Sequence, residues 1–501
     1  MSTGARDLRE AAGSALAARL SPRYLEEHCL IPLGISDDGT LEVAVGKGLE
    51  ASVGDELSRL YQRKLRAVDV PQGEVIAAIM SATRPDAVTT SPAVARESDS
   101  AGDSALDDLE ALANQAPVIK LVNVLMLDAL QMGASDIHVE STASGLRVRY
   151  RLDGVLQDVS RLADKYAAAV VSRIKIMAGL DIAERRRAQD GRARLRLADR
   201  DVDLRVSTLP ALHGESVVLR ILDHAGHGRG LSELGMSPRV REDFERLIAR
   251  TSGMVLVTGP TGSGKTTTLY AALARVNSAG VKIVTVEDPV EYQIPGVIQI
   301  PVNPKAGFGF DTALGSILRH DPDIIMIGEM RDRATAELAV QAALTGHLVF
   351  STLHTTDAAS AITRLVDMGI EPYLVAATAQ GIVAQRLVRL LCETCSEPYE
   401  PDSSEFAGGG ESTEPADYRR ARGCDKCSQT GYRGRVGIYE YLPLSDEERA
   451  LISRGGSLSE LRAVARRGGM KSLSDAGWEL IRAGRTTFSE LGRVVNESHS
   501  A

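Results

Sequence analysis

The chain's 501 residues leave room for roughly three domains of about 150 residues each, and 44% hydrophobic with 25% charged residues is ordinary for a soluble globular protein. The 58 basic residues are outnumbered by 67 acidic ones, giving a net charge of −9, so a general nucleic-acid binder is disfavoured and no nucleic-acid partner is expected. No apolar run reaches the about 18 residues of a membrane span, and Met1–Leu20 lacks the apolar stretch of a signal peptide.

Aromatic residues make up only 4%, so the cores must be built from Leu, Val, Ile and Ala. Residues 1–80 read as a small mixed domain in which Leu41, Val43 and Val45 alternate as on a half-buried strand. Residues 81–112 are rich in Ser, Thr, Ala, Pro and Asp, too poor in large apolar groups to repay ordering, and read as a flexible linker. An α+β domain is expected over residues 113–228. Pro117 suits a first helical turn, and Val118, Leu121, Val122, Leu125 and Ala129 follow at helical spacing. Leu146, Val148, Tyr150 and Leu152 then alternate with Arg147, Arg149 and Arg151 up to an Asp153-Gly154 turn, and Arg192–Val206 repeats the device. From 229 to 390, short apolar strands (Met254–Thr258, Lys282–Val286, Ile324–Ile327, Leu348–Leu353) alternate with helical stretches such as Arg333–Leu344. That is the βα rhythm of an α/β domain whose parallel sheet is covered on both faces. A cysteine module (391–440) and a helical C-terminal region (441–501) complete the chain.

Gly259-Pro260-Thr261-Gly262-Ser263-Gly264-Lys265-Thr266 is a complete G-x-x-x-x-G-K-[ST] phosphate loop between an apolar strand and a helix. Its glycines let successive N–H groups point at one anion, Lys265 can reach the β- and γ-phosphates, and Thr266 can ligate Mg²⁺. The motif implies a nucleoside-triphosphate site. Three further segments are placed to converge on it. Asp321-Pro322-Asp323 leads into Ile324–Ile327 and then Gly328-Glu329, the form of an acidic element that orients Mg²⁺ and its water. Glu287, Asp288 and Glu291 cluster after another strand, where a carboxylate can position or deprotonate a water. The strand Leu348–Leu353 ends so as to bring His354 or Thr352 near a γ-phosphate.

Cys392-x-x-Cys395 and Cys424-x-x-Cys427 take four of the five cysteines. Four thiolates at this double spacing favour a closed structural Zn²⁺ site over disulfides, with an iron–sulfur cluster the alternative. The fifth, Cys29, reads as a small buried apolar residue.

The ordered motifs TVEDPVEY (285–292), DPDIIMIGEMRD (321–332) and TGHLVFSTLHT (345–355) behind the phosphate loop resemble those of the secretion ATPases of the type II secretion and type IV pilus class, the GspE-like and PilB-like proteins. Ala134–Glu140, Gln189–Arg192, Asp203–Pro210 and Cys424–Arg435 extend the resemblance to about residues 113–495. It implies a RecA-like ATP-binding core preceded by a PAS-like α+β domain, assembled as a homohexamer in which that domain lies against a neighbour's core. It also implies that Glu291 or Glu287 is the catalytic base, that Glu329 organises Mg²⁺ and water, and that Arg192 and Arg205 help hold phosphates. The implied setting is cytoplasmic, at the inner face of the cell membrane through platform and anchor proteins (GspF- and GspL-like, or PilC-like). A type II secretion motor is the leading expectation and a pilus assembly motor the alternative. A pilus-retraction motor generally lacks the cysteine module, and a DNA-translocating motor should show a basic surplus.

Overall fold

The structure is a computed structural model that describes residues 16–17, 20, 24–25, 28–36, 38–46, 48–49, 51–70, 75, 116–197, 200–222, 228–406 and 416–496. The expected linker at 81–112 lies outside them. The chain divides into two compact units, residues 1–99 and 100–501.

In the first unit β1 (Leu30–Ile35) pairs antiparallel with β2 (Leu41–Val45), and β2 pairs in parallel with β3 (Leu65–Asp69). Helix α1 (Ala51–Tyr61) makes the crossover that a parallel pair requires. Leu41, Val43, Val45, Leu30, Ile31 and Leu57 form its core, and Cys29 is buried among them.

The second unit holds two sheets. Helix α2 (Ala116–Gln131) precedes β4 (Asp136–Thr142), β5 (Gly145–Leu152) and β6 (Val155–Leu162), then come α3 (Ala167–Met177), β7 (Gln189–Leu197), β8 (Arg200–Ala211) and β9 (Gly214–Leu222). The strands form an antiparallel sheet in the order β6-β5-β4-β9-β8-β7. Alternation dictates the layering. Leu146, Val148, Tyr150 and Leu152 pack with Val122, Ala129, Val170 and Ile174 of the two helices, and the Tyr150 hydroxyl donates to Leu125 O at 2.7 Å. The intervening arginines must then face away from the helices. Opposed residues of an antiparallel pair share a face, so Arg192, Arg205, Arg220, Asp136 and Arg151 make one cross-strand row.

The second sheet is built after α4 (Pro238–Ile248), which is capped by Ser237 accepting from Val240 N at 3.4 Å. Its elements are β10 (Gly253–Thr258), α5 (Lys265–Val276), β11 (Ile283–Glu287), β12 (Ile298–Pro301), α6 (Phe310–Ile317), β13 (Ile324–Ile327), α7 (Arg333–Leu344), β14 (Leu348–Leu353), α8 (Ala358–Asp367), α9 (Pro372–Thr378) and β15 (Ala379–Leu391). After the short pair β16 (Glu397–Pro398) and β17 (Arg419–Arg420), β18 (Tyr432–Pro443) returns to the sheet. The order is β12-β11-β13-β14-β10-β15-β18, parallel except for β18 against β15. Every residue of β10, β11, β13 and β14 is buried, because helices cover both faces. Helices α4 and α5 lie on one side. The other side carries α6 to α9 and four C-terminal helices, α10 (Asp446–Ser453), α11 (Leu458–Arg467), α12 (Leu473–Arg482) and α13 (Phe488–Asn496). Each fully buried aliphatic side chain of these strands contributes about 1.5–3 kcal/mol. Ser445, Ser457 and Ser472 cap α10, α11 and α12 through reciprocal bonds with Glu448, Glu460 and Asp475. The sheet does not end where the core was expected to: β15 runs through residue 391, and β18 reaches Pro443 across the boundary expected at 440.

Candidate active site

Strands β11, β13, β14 and β10 lie side by side in parallel, so their C-terminal ends share one edge of the sheet. That edge presents Glu287 at the end of β11, Glu329 just beyond β13, His354 just beyond β14 and the phosphate loop beyond β10.

The loop backbone is one that only glycine adopts easily. Gly262 and Gly264 have φ of +79° and +89°, and a Cβ on Gly264 would lie 2.7 Å from Gln385 Nε2. Gly264 immediately precedes α5, so the unsatisfied N–H groups of that helix start are available to an anion. Gly259 is buried, whereas Pro260, Thr261 and Thr266 are exposed. Ser263 is only 3% exposed, yet its Oγ finds no hydrogen-bond partner among the described residues. A buried hydroxyl without a partner costs about 1–3 kcal/mol, and a phosphate oxygen in the loop would satisfy it. Lys265 Nζ donates to Gly259 O at 2.8 Å and Pro260 O at 3.1 Å. Burial lowers its pKa to about 8; the Glu329 charge opposes that shift and the Arg386 charge adds to it. The donor set fits a polyphosphate: glycine backbone, one buried cation and one orphaned hydroxyl.

Glu329 has a carboxylate oxygen 2.6 Å from Arg331 Nη2 and the other 3.3 Å from His354 Nε2. Burial lowers the pKa of His354, with the Lys265 charge adding and the bond to Glu329 opposing. His354 therefore stands neutral at pH 7 with Nε2–H donating to Glu329. The alternative at this strand end, Thr352, is used up structurally, since its hydroxyl donates to Gly328 O at 2.7 Å.

The two candidate bases differ sharply. Glu287 is 3% exposed and fully engaged: it accepts from the Tyr270 hydroxyl, from Thr285 Oγ1 at 2.5 Å and from Gln299 Nε2 at 3.1 Å. Glu291 lies at the surface with solvent access, yet crowding of its carboxylate by protein atoms raises its pKa, an effect that Arg220 and Arg205 oppose and Glu287 reinforces. Asp288, the third acid of the cluster, is exposed.

Arg205 acts electrostatically on Glu291, and Arg192 is its cross-strand neighbour; both are exposed. Three residues at this edge escaped the sequence reading. Arg220, opposite Arg205 on β9, also acts on Glu291 and is held by Asp136 at 3.0 Å. Gln385 accepts from Thr268 Oγ1 at 2.7 Å, and Arg386, 5% exposed, donates to Gln385 O at 3.0 Å and Thr356 O at 2.7 Å. The signal for this pair was in the sequence: a polar dipeptide inside the otherwise apolar run from Ile382 to Val388.

Away from this edge, the four cysteine sulfurs lie within 4.8 Å of one another, with separations of 3.9 Å (Cys392 to Cys424), 3.8 Å (Cys395 to Cys427) and 3.7 Å (Cys424 to Cys427). A tetrahedral metal–thiolate shell with bonds of about 2.3 Å places sulfurs about 3.8 Å apart, so the set fits a metal ion. Burial raises the Cys427 thiol, but N–H donors from Cys424 and Gly431, each 3.2 Å from its sulfur, prevail and lower it to about 7.

A largely parallel sheet with a phosphate loop on an interior strand, and acids on nearby strand ends, defines a P-loop nucleoside triphosphatase. The family described as Type II/IV secretion system protein matches residues 111–493, and the MshEN domain family matches residues 5–88. The chain belongs to the type II/IV secretion system protein family, and it is an ATPase. It is 51% identical over 392 residues, 78% of each chain, to the Type II secretion system protein E of Pseudomonas aeruginosa. It is 47% identical over 392 residues to the Type IV pilus assembly ATPase PilB of Myxococcus xanthus, covering 77% of this chain and 69% of that one. Among solved structures it is similar to the pilus retraction motor PilT with bound ADP, at a TM-score of 0.50 and 26% identity, over 74% of this chain and 96% of that one.

Proposed function

We propose that this chain is the ATP-hydrolysing motor of a type II secretion system, acting as a homohexamer at the inner face of the cell membrane through platform and anchor proteins. The observation that carries the reading is the convergence of Lys265, Glu329, His354 and Glu291 around one sheet edge, in a chain 51% identical over 392 residues to a type II secretion protein. The backbone of residues 259–264 and Lys265 bind the β- and γ-phosphates, and Ser263 Oγ gains the partner it otherwise lacks. Thr266 and Glu329 would hold Mg²⁺ and its water. Bound MgATP supplies the phosphoanhydride to be cleaved and the metal that screens its charge. Glu291, solvent-accessible and with its proton affinity raised, takes the proton of the attacking water at a carboxylate oxygen. Glu287 braces the strand end instead, because three buried donors already hold its carboxylate. Arg192 and Arg205 bring positive charge from the α+β domain towards the phosphates, where a guanidinium fork suits the geometry. The four cysteines would hold a structural Zn²⁺, which would cross-link the module and supply no chemistry to the reaction.

The PilB relative supports a second reading, the same chemistry in a pilus assembly machine. Replacing the chromosomal copy with a Lys265→Ala allele separates the two. The main reading expects protein export to stop while surface pili persist; loss of pili with export intact would replace it with the second.

A further inference from the structure

Glu329 is gripped at both carboxylate oxygens by side chains, and one of them has no role in the chemistry proposed above. Arg331 Nη2 lies 2.6 Å from Oε1, and His354 Nε2 lies 3.3 Å from Oε2. The backbone beneath the carboxylate is already fixed. Gly328 N donates to Val286 O at 2.8 Å, Gly328 O accepts from Thr352 Oγ1 at 2.7 Å, and Met330 N donates to Thr352 O at 3.1 Å. Only the side-chain torsions of Glu329 remain to be set. An ionised carboxylate offers about four lone-pair positions, so one donor on each oxygen fixes the plane of the group and leaves the other positions for a metal-bound water. That free side must be the functional one, since the Glu329 charge acts on Lys265 of the phosphate loop.

Arg331 does little else. Its side chain is 70% exposed, so it fills no core space, and a surface pair of this kind adds little to stability. Neighbouring Arg333, similarly exposed at 67%, shows the ordinary alternative: it pairs with Glu337 one helical turn along, as a helix-surface arginine does. Arg331 instead turns back onto the residue two positions before it, at the end of the strand.

We infer that Arg331 is a positioning residue for Glu329: with His354 it sets the carboxylate plane in which Glu329 meets the metal–nucleotide complex. The inference rests on the ATPase reading. It assigns Arg331 no contact with substrate; the arginine acts through the carboxylate alone. Outer partners of a carboxylate that serves a metal are typically worth 10–100-fold in metal affinity or activity.

The test is a Mg²⁺ titration of fluorescent ADP binding to the full-length protein, run on wild type, Arg331→Gln, Arg331→Lys and the control Arg333→Gln. Arg331→Gln is expected to raise the Mg²⁺ concentration at half-maximal response about tenfold, with Arg331→Lys intermediate because it keeps the charge but loses the planar fork. ADP affinity in EDTA should be unchanged in all four proteins. In turnover, Arg331→Gln should lower kcat and leave the KM for ATP near its wild-type value. An unchanged Mg²⁺ midpoint in Arg331→Gln overturns the inference, as does an equal loss of ADP affinity in EDTA, which would mean a direct or merely structural effect. If wild type itself showed no Mg²⁺-dependent ADP binding, the ATPase reading would fall, and this inference with it.

Discussion

The phosphate loop and the cysteine module are held in place by different physics. The loop grows out of β10, a strand buried on all six residues between two apolar clusters, and its geometry is over-determined by backbone bonds, close packing and left-handed glycines. The module hangs beyond β15 on short elements, β16 and β17 of two residues each, and only Cys392 and Cys427 of its thiols are buried. Its aromatic side chains Tyr399, Phe406 and Tyr418 pack against Trp478 and Phe488, and the four sulfurs are spaced as a metal shell would hold them. Where the two regions meet, the module returns strand β18 to the same sheet, and the Asp153 turn of the α+β domain reaches it by accepting from Gly434 N at 2.7 Å. One region is built by the fold; the other carries a thiolate set that a metal ion would fit.

The largest effect should come from breaking the module. In a Cys392→Ser, Cys424→Ser variant, bound zinc measured by elemental analysis should fall from about one per chain to near zero. Amide exchange at residues 392–431 should accelerate, while ADP binding at the loop survives because β10 and its neighbours do not depend on the metal. Loss of ADP binding along with the zinc would show that the two regions are not separable in this way.

The two acids of the TVEDPVEY segment offer a second contrast, inside the site. Glu291→Gln should lower kcat about 100-fold with nucleotide affinity retained, as loss of a general base does. Glu287→Gln should act mainly on stability, about 1–3 kcal/mol from denaturant unfolding, because the amide replaces one of the two oxygens that accept from the buried donors Tyr270, Thr285 and Gln299 and leaves a donor there without an acceptor. The reverse pattern would exchange their roles.

Lys265 gives the smallest and most graded test. Its folded pKa of about 8 lies below the lysine value of 10.5, so between those values the unfolded chain binds more protons than the folded one. This contribution to stability is therefore fully present above 10.5 and is lost as pH falls through 8. Phosphate binding demands the charged form, which sets the opposite trend for the ligand. ADP affinity should be about tenfold weaker at pH 9 than at pH 7, and a flat profile would mean that the ammonium is not buried as found.

Much of this could be read from the chain before any coordinates, for identifiable reasons. The four parallel core strands were legible because strands buried on both faces become continuous apolar runs. The phosphate loop was legible because its chemistry is local in sequence. Glu287 and Glu291 could not be told apart, since what separates them is contact with Tyr270, Thr285 and Gln299, two of which lie on other elements. Arg220 was hidden for a similar reason: only the β8–β9 register places it beside Arg205. The contacts of Arg331 and Arg386 depend on which way a guanidinium turns, and spacing alone does not encode that.

The central claim is that residues 259–266 grip the nucleotide's phosphates through Lys265. Single-turnover hydrolysis of MgATP by the purified full-length protein, wild type against Lys265→Ala, tests it most directly. The account predicts a fall of at least about 100-fold in the variant, with the protein still folded. Hydrolysis at the wild-type rate in Lys265→Ala would contradict it.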